Sequence, residues 1–314
     1  MKYCCPPYDI TEMVGNAHPT NYHCSMFTCD LQVPSGYQTQ SADTDIEAEL
    51  VQFALWRQMS SGQKEALFRR VVRRVPVLIW QAVRQQFPDA PMQELRYAYV
   101  RKRWGETGAK LLAEIQYSGG LMLEDPIWLA RKIAGIFSSL DIPYYLGGSV
   151  ASSLQGEVRY TEDLDLVAHI QPAQVRGLVE RLSGEFYISE VAVEDAMSGR
   201  CLSFNIIHLE TTEKADIFVM RDDAFSRSQM KRRSLHVGDG DIEGALYLCS
   251  PEDTILQKLL WFKMTARESQ KQWRDILGVL KLQGKALDFD YLREWGERLA
   301  VLVDLERAFV EAGI

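Results

Sequence analysis

The chain contains 314 residues, of which 46% are hydrophobic and 25% charged, and its formal net charge is −8. These values are those of an ordinary globular protein with one or two domains, and the net negative charge excludes a general binder of polyanions. No apolar run is long enough to span a bilayer, and residues 1–7 lack the apolar core of a signal peptide. We therefore expect a cytoplasmic protein without membrane partners.

Residues 1–43 are rich in proline, glycine and polar side chains and show neither helical nor strand periodicity, which predicts an irregular N-terminal arm. His18, His23, Cys24 and Cys29 could bind zinc. Their spacing differs from the paired Cys-x-x-Cys pattern of common zinc sites, so the sequence leaves this metal site open.

Residues 44–120 follow a helical pattern and form a basic region. Between Arg57 and Lys110 there are twelve Lys or Arg against four Asp or Glu. We expect Pro76 to kink the long second helix or to begin a new one, and the next helix to end near Trp104. The arginines can form a solvated face, contact a polyanion or acidic partner, or lie over the acidic part of the same protein.

Residues 121–245 combine helical and strand patterns. A helix begins at Asp125-Pro126, with Asp as N-cap and Pro at the first position, and it leads into a buried strand at 142–146. Further elements follow in chain order: strands at 163–167, 201–209, 214–220 and 245–249, and helices at 172–182 and 191–198. The pattern predicts a mixed sheet flanked by helices.

A glycine-rich turn comes directly after the first of these strands. Gly147, Gly148 and Ser149 follow residue 146, and a helix can begin at Val150. The backbone N–H groups of such a turn and the positive end of the helix dipole point at one spot and bind phosphate. Taken alone, a Gly-Gly-Ser sequence is usually only a turn.

Three aspartates follow the turn at strand positions. Asp163 and Asp165 are two residues apart, so in a strand both carboxylates project to the same side. Close to a phosphate site they would repel each other unless a cation lay between them, and Mg²⁺ is the cation that carboxylates bind jointly with substrate phosphates. Asp216 supplies a third carboxylate near the start of a later strand. The pattern predicts a magnesium site.

In this order, the strand, Gly-Gly-Ser turn, helix, Asp-x-Asp strand and later Asp strand resemble the nucleotidyltransferase superfamily, which shares a fold core with DNA polymerase β. The resemblance implies an α+β fold: a small mixed-sheet core (residues 121–245), a helical N-terminal region and a helical C-terminal subdomain (residues 246–314). It implies that the three aspartates hold two Mg²⁺ ions and that the turn (Gly147, Gly148, Ser149) binds the NTP. Arg159 would neutralise the triphosphate, or be tied to Glu162 for structure.

The C-terminal half contains polar residues within apolar helical patterns. Lys258 lies among leucines and isoleucines, and Asp275 lies between Trp273 and Ile276. By composition alone, such a lysine extends to solvent and an Arg-Asp pair forms a surface salt bridge of small energy.

Upstream, residues 225–238 form a polar stretch that we expect to be a substrate-facing loop, with basic residues at Arg227, Lys231, Arg232 and Arg233.

The order Ser250-Pro251, Lys258 and Asp275 looks like the helical half of the AbiEii-type nucleotidyltransferases, which are abortive-infection and toxin enzymes. The resemblance covers residues 125–300. It implies that Lys258 is a catalytic lysine that neutralises the triphosphate, with Lys263 as a rival one turn further along. It also implies that Asp275 acts near the acceptor or orients the lysine.

These resemblances imply transfer of a nucleoside monophosphate from an NTP to an acceptor hydroxyl, in a toxin–antitoxin or phage-defence setting. RNA such as a tRNA 3′ end is the leading acceptor, and a protein side chain or a small hydroxylated molecule are the alternatives. A different hypothesis is an inactive or autoinhibited nucleotide-binding module. In that case residues 44–120, which resemble small antitoxin proteins, would occupy the cleft.

Overall fold

The computed structural model describes residues 33–115, 117, 119–238 and 244–314. The four N-terminal His and Cys residues, and most of the predicted arm, lie outside these residues. Residues 33–314 form one compact unit, and the division into four regions stays a prediction. None of the helices in the described ranges is both long and apolar enough to cross a membrane.

The described residues form helices on both sides of a central set of strands. The helices are α1 (Ile46–Gln58), α2 (Ser61–Gln86), α3 (Met92–Glu114), α4 (Pro126–Ser139), α5 (Gly148–Gln155), α6 (Val175–Leu182), α7 (Glu190–Met197), α8 (Ala224–Arg232), α9 (Pro251–Met264), α10 (Gln270–Gln283), α11 (Phe289–Arg298) and α12 (Leu302–Ala312). The strands are β1 (Tyr144–Leu146), β2 (Leu164–Ala168), β3 (Phe186–Ile188), β4 (Ser203–His208), β5 (Lys214–Val219), β6 (Ser234–His236) and β7 (Leu246–Leu248).

The strands form one seven-stranded sheet in the order β3-β4-β5-β2-β1-β7-β6. The pairs β2–β5 and β1–β7 are parallel, and the other neighbouring pairs are antiparallel. The predicted α+β architecture, a mixed sheet flanked by helices, is confirmed. Strands β3 and β6 were not predicted: each has three residues, and unlike the equally short β1 and β7 they do not lie in a longer apolar run of the sequence.

Alternation along β2 sets which side chains face the core. Leu164, Leu166 and Ala168 are completely buried, whereas Asp165 and Val167 between them are part-exposed. The buried leucines belong to a core that also contains the apolar side of α4. Burying this alternate set places the aspartates on the opposite face of the sheet.

The C-terminal helices surround a second apolar core, to which α9, α10, α11 and α12 contribute. Helix α10 packs against both α5 and α9. The approach to α5 is close, because a Cβ at Gly156, just beyond the end of α5, would lie 2.7 Å from the backbone nitrogen of Val279. This contact brings residues of α10 to the glycine-rich turn at the start of α5.

The helices of the basic region can be compared with the two expectations for them. Helix α2 runs without interruption from Ser61 to Gln86 with Pro76 inside it, so Pro76 does not begin a new helix; Phe68, Val72 and Val83 keep the helix buried on both sides of it. Helix α3 follows the predicted helix as far as Trp104, after which its helical backbone is interrupted. It changes direction at Gly105, whose φ is 75°, and continues to Glu114.

Several arginines of the basic region bind acidic residues of the same chain. Arg69 and Arg73 contact Asp125, the N-cap of α4. Arg103 forms a bidentate pair with Glu213, with N···O distances of 2.6 and 3.0 Å, and both side chains are buried. These three arginines therefore face acidic residues of the same protein, which is the last of the three alternatives considered for the basic region.

The predicted loop at 225–238 is mostly helix α8, so that expectation is wrong. Its arginines have partners within the chain. Arg227 pairs with Asp222, Arg232 lies 3.2 Å from a carboxylate oxygen of Glu252, and Arg233 lies over the ring of Tyr247.

Candidate active site

The glycine turn and Asp165 fit directly against each other. Helix α5 begins at Gly148, whose φ is +57°, and a Cβ at this position would lie 1.7 Å from Oδ2 of Asp165. The N–H of Gly147 donates to the backbone carbonyl of Asp165 at 3.0 Å, and the backbone of Ser149 hydrogen-bonds the Asp165 carboxylate. The carboxylate therefore occupies the space that any side chain at Gly148 would need.

Asp165 and Asp216 are direct neighbours in the parallel pair β2–β5. Their side chains share one face of the sheet, on strands about 4.8 Å apart. Asp163 lies two residues before Asp165 and is exposed. The structure thus brings the three predicted aspartates to one face.

Burial and neighbouring carboxylates raise the pKa values of Asp165 and Asp216. Burial, and then the charges of Asp216 and Asp163, raise the pKa of Asp165 to about 6. Burial and the charge of Asp163 also raise the pKa of Asp216, although Lys214 opposes the change. A cation between these carboxylates would remove the repulsion.

The carboxylate oxygens of the three aspartates can be compared with the coordination that Mg²⁺ prefers. Among the described residues, no three His, Cys, Asp or Glu side chains are grouped closely enough to hold a metal by themselves. Oδ1 of Asp216, however, is buried and accepts no hydrogen bond within the described part of the chain; Lys214 Nζ lies 3.3 Å from it. Mg²⁺ keeps several waters and is usually bound by one or two carboxylates with substrate phosphates. An open carboxylate pair beside a phosphate-binding turn fits that coordination.

A second cluster joins α5, α9 and α10. Asp275 accepts hydrogen bonds from Arg159 at 2.6 Å on each carboxylate oxygen and from Lys258 Nζ at 2.6 Å. The Arg159 guanidinium also donates to Ser149 Oγ at 2.9 Å. Burial opposes ionisation of Asp275, but the hydrogen bonds and charges of Arg159 and Lys258 outweigh it and hold the pKa of Asp275 below its usual value. Arg159 and Lys258 exceed the charge of Asp275 by one, although Lys258 also interacts with the Asp165 carboxylate. Arg159 is the cation hydrogen-bonded to Ser149, where an anion can bind.

The sequence left alternatives open for the catalytic lysine and for the partner of Arg159, and the structure shows different contacts for each alternative. Lys263, the rival of Lys258, donates instead to the backbone carbonyls of Leu299 and Ala300. Arg159 contacts Asp275 rather than Glu162, and Glu162 accepts hydrogen bonds from Tyr160 and Arg103. Asp275 contacts Lys258 directly, as a role in orienting the lysine requires, and both roles considered for Asp275 stay predictions.

Asn205 also lies on the carboxylate face, and the sequence analysis missed it. It is the register partner of Asp216 on the antiparallel strand β4, and its side chain is exposed. A single asparagine within a strand pattern carries no motif. Only the strand register reveals its position.

The predicted autoinhibitory helices do not cover the first aspartate. Helices α2 and α3 bind acidic residues of the core through the arginine pairs described above, while Asp163 stays exposed within the described part of the chain. Occupation of the cleft by residues 44–120 therefore has no support at this position.

The structure is similar to several solved nucleotidyltransferase structures. An antigenic nucleotidyltransferase-like protein from Paracoccidioides brasiliensis is 20% identical, with 60% of this chain and 91% of that chain covered and a TM-score of 0.42. ANT(2")-Ia in complex with adenylyl-2"-tobramycin is 18% identical, with 55% and 96% covered and a TM-score of 0.37. A CCA-adding enzyme in complex with ATP is 13% identical, with 64% and 54% covered and a TM-score of 0.25.

Neither a protein-family model nor a curated protein matches the chain. Structural similarities with TM-scores below 0.5 do not define an activity, and the AbiEii-type likeness stays a prediction. The function of this chain has to be inferred from the arrangement of its own side chains.

Proposed function

We propose that the chain is a metal-dependent nucleotidyltransferase that moves a nucleoside monophosphate from an NTP to an acceptor hydroxyl. The observation that carries the proposal is the pairing of Asp165 with Asp216 on one sheet face, directly against the Gly148 turn. The excess positive charge of Arg159 and Lys258 around Asp275 lies beside the same turn. Acidic ligands and an anion site are thus adjacent, as a nucleotide bound with Mg²⁺ requires.

In the proposed reaction the acceptor oxygen forms a bond to the α-phosphorus of the NTP. The bond from that phosphorus to the bridging oxygen breaks, pyrophosphate leaves, and the hydroxyl proton passes to solvent. Positioning and charge neutralisation account for most catalysis in phosphoryl chemistry, so the chain's main tasks are to hold the triphosphate and align the hydroxyl.

The triphosphate would lie at the N-terminus of α5. The backbone N–H of Gly148 and the hydroxyl of Ser149 would contact the terminal phosphates, whereas the N–H of Gly147 already donates to Asp165 and would shape the turn. Ser149 Oγ accepts a hydrogen bond from Arg159 and still has its own hydrogen to donate. Lys258 and Arg159 would neutralise the phosphate charge, and Asp275 would keep both side chains in position.

Asp163, Asp165 and Asp216 would hold two Mg²⁺ ions, which when bound neutralise the charge that develops on the attacking and leaving oxygens. The raised pKa of Asp165 supports this assignment, because burial and then the charges of Asp216 and Asp163 cause it, and Lys258 offsets them only in part. Asp216, furthest from the turn along the sheet, would face the acceptor.

For the acceptor, RNA with a free 3′ end remains our leading proposal, and a toxin–antitoxin or phage-defence role rests on the AbiEii resemblance. The arginines expected to recruit RNA are largely committed elsewhere: Arg69, Arg73, Arg103 and Arg232 bind acidic residues of the chain. Recognition of the acceptor would therefore depend on surfaces other than a simple basic face.

The test is incubation with each α-labelled NTP, Mg²⁺ and total RNA or cell lysate, followed by identification of the labelled molecule. Asp165→Asn should reduce labelling on the order of a hundredfold or more. Its thermal stability should be equal or higher, because one of three repelling charges is removed. Asp222→Asn, the same change at an exposed surface pair, is the matched control and should keep full activity. Full labelling by Asp165→Asn would overturn the proposal.

A further inference from the structure

A cavity of about 360 Å³ lies between helix α3 and the outer strands of the sheet. Its walls include Leu111 and Leu112 from the part of α3 beyond Gly105, Tyr187 from β3 and Ala192 from α7. Helix α3 belongs to the basic region, so the cavity exists only because that region packs against the sheet.

The cavity reaches the carboxylate face at one edge. Asn205 and Lys214 line it; Asn205 is the register partner of Asp216, and Lys214 Nζ is 3.3 Å from Oδ1 of Asp216. Neighbouring strands are about 4.8 Å apart, so the cavity edge lies one strand from Asp216 and two from Asp165.

The order across the sheet is then the phosphate-binding turn, Asp165, Asp216, Asn205 and the cavity. A nucleotide whose phosphates lie at the turn and a molecule in the cavity would approach the carboxylates from opposite sides. A hydroxyl on that molecule could reach Asp216, the aspartate proposed to face the acceptor.

The lining restricts what the cavity can hold. Apart from Lys214, the described residues that line it are uncharged, and aromatic and aliphatic side chains predominate. Protein pockets for small ligands span roughly 300 to 1,000 Å³, so this cavity has room for one small ring-containing group and not for a stretch of polymer.

Two lining residues have buried polar atoms that lack partners. Trp104 Nε1 and Thr212 Oγ1 form no hydrogen bond with any described residue. Unsatisfied buried polar groups are rare and call for an explanation such as a ligand. Both atoms have almost no accessible surface, so a side-chain movement on binding would present the N–H and the O–H to a ring that has its own hydrogen-bond acceptors.

We propose that this cavity binds the acceptor, and that the acceptor presents a nucleoside: an uncharged, ring-containing group with a ribose hydroxyl directed to Asp216. The proposal rests on the nucleotidyltransferase function argued above. A free nucleoside and the unpaired terminal nucleoside of an RNA 3′ end share this chemistry, and the experiment separates them.

The test fills the cavity by mutation. Ala192→Trp places a large side chain in the cavity. Val191→Trp introduces the same tryptophan at the preceding residue of α7, which is 67% exposed. Binding of the four free ribonucleosides is measured by saturation-transfer NMR without NTP or metal. At least one nucleoside should bind the wild type and Val191→Trp, and its affinity should fall tenfold or more in Ala192→Trp.

Transfer assays give a second readout. The KM for the acceptor should rise at least tenfold in Ala192→Trp, while the Kd for NTP stays within twofold of wild type, which also shows that the variant is folded. RNA with an unpaired 3′ end is compared with the same RNA annealed to a complementary strand. If annealing abolishes labelling and free nucleosides compete only weakly, the acceptor is the RNA 3′ end. If a free nucleoside itself becomes labelled, the acceptor is the free nucleoside.

A third variant, Thr212→Val, removes the unpartnered hydroxyl and keeps the side-chain shape. It should weaken nucleoside binding severalfold without lowering Tm. Equal binding and equal KM in the two tryptophan variants would overturn the cavity proposal while leaving the transferase function intact. Binding that Ala192→Trp abolishes, in a protein without transferase activity, would instead overturn the proposed function and the acceptor role.

Discussion

At the scale of single residues, the candidate site depends on the absence of one side chain. Gly148 combines a left-handed backbone with direct contact to the Asp165 carboxylate. A residue with a Cβ would meet both a backbone penalty and an overlap that only movement of Asp165 could relieve. The carboxylate and the turn are therefore one structural unit.

Gly148→Ala should therefore reduce both stability and activity. We expect unfolding to become easier by about 1–2 kcal/mol from the backbone alone, with labelling lost because Asp165 must move. Urea unfolding and the labelled-NTP assay measure the two effects. Gly147→Ala is the control for stability, because its φ is negative and its added Cβ would come no closer than 3.9 Å to another atom. Equal stability of the two variants would contradict the close contact.

Residue patterns predicted the aspartates, whereas Arg159 and Lys258 were expected from the family resemblance and their pairing with Asp275 was not predicted. Asp165 and Asp216 lie within strands and Asp163 lies directly before one, and these positions can be predicted from the local pattern. Arg159 and Asp275, in contrast, are 116 residues apart, and both look like surface charges in the sequence. Their pairing depends on the packing of α10 against α5.

At the scale of elements, the change of direction in α3 is the feature with most consequence. The first part of the helix holds Arg103 against Glu213, and the part beyond Gly105 forms a wall of the cavity. Gly105 has a φ of 75°, and a Cβ there would meet no atom within 4 Å. Its role is conformational and not steric.

A pair of glycine substitutions tests this role. Gly105→Ala should destabilise the protein by about 1 kcal/mol, because alanine disfavours a positive φ. Gly135→Ala, at an exposed position inside α4 with equally free space, should stabilise it by about 0.5–1 kcal/mol. Chemical denaturation of both variants gives the comparison, and a stabilising Gly105→Ala would show that α3 does not need this bend.

Elements differed in how far they could be predicted. Asp125 and Ser250 cap α4 and α9 as expected, since a cap is a local hydrogen bond between neighbouring residues. Helix α8 was taken for a loop because its arginines and serines give it little apolar surface. Phe225 and Met230, which are buried, provide the packing that makes it a helix.

At the scale of the whole molecule, the free energy of unfolding should depend on a buried lysine of α2. Lys64 is 5% exposed, and its Nζ has no hydrogen-bond partner within the described part of the chain. Burial lowers its pKa to about 7 in the folded state. Between this value and its ordinary value of 10.5, the unfolded chain binds more protons, so stability should rise with pH across that interval.

Lys64→Met should remove this dependence. At pH 7 we expect a gain on the order of 1–3 kcal/mol, because no polar group remains buried without a partner, and the gain should shrink as pH approaches 10. Urea midpoints at pH 7, 8 and 9 measure the slope. Lys102→Met, at an exposed position of α3, should leave both stability and slope nearly unchanged. An unaltered slope in Lys64→Met would mean that Lys64 stays protonated when folded.

The sequence by itself determined the mixed sheet with flanking helices, the glycine turn and the three aspartates, because periodicity, caps and turn chemistry are local properties of a chain. Only the tertiary structure decided which cation pairs with Asp275, that Asn205 lies beside Asp216, and that α3 closes a cavity next to the carboxylates. These contacts join residues far apart in the chain, and they form only when strand register and helix packing are set by burial of the cores.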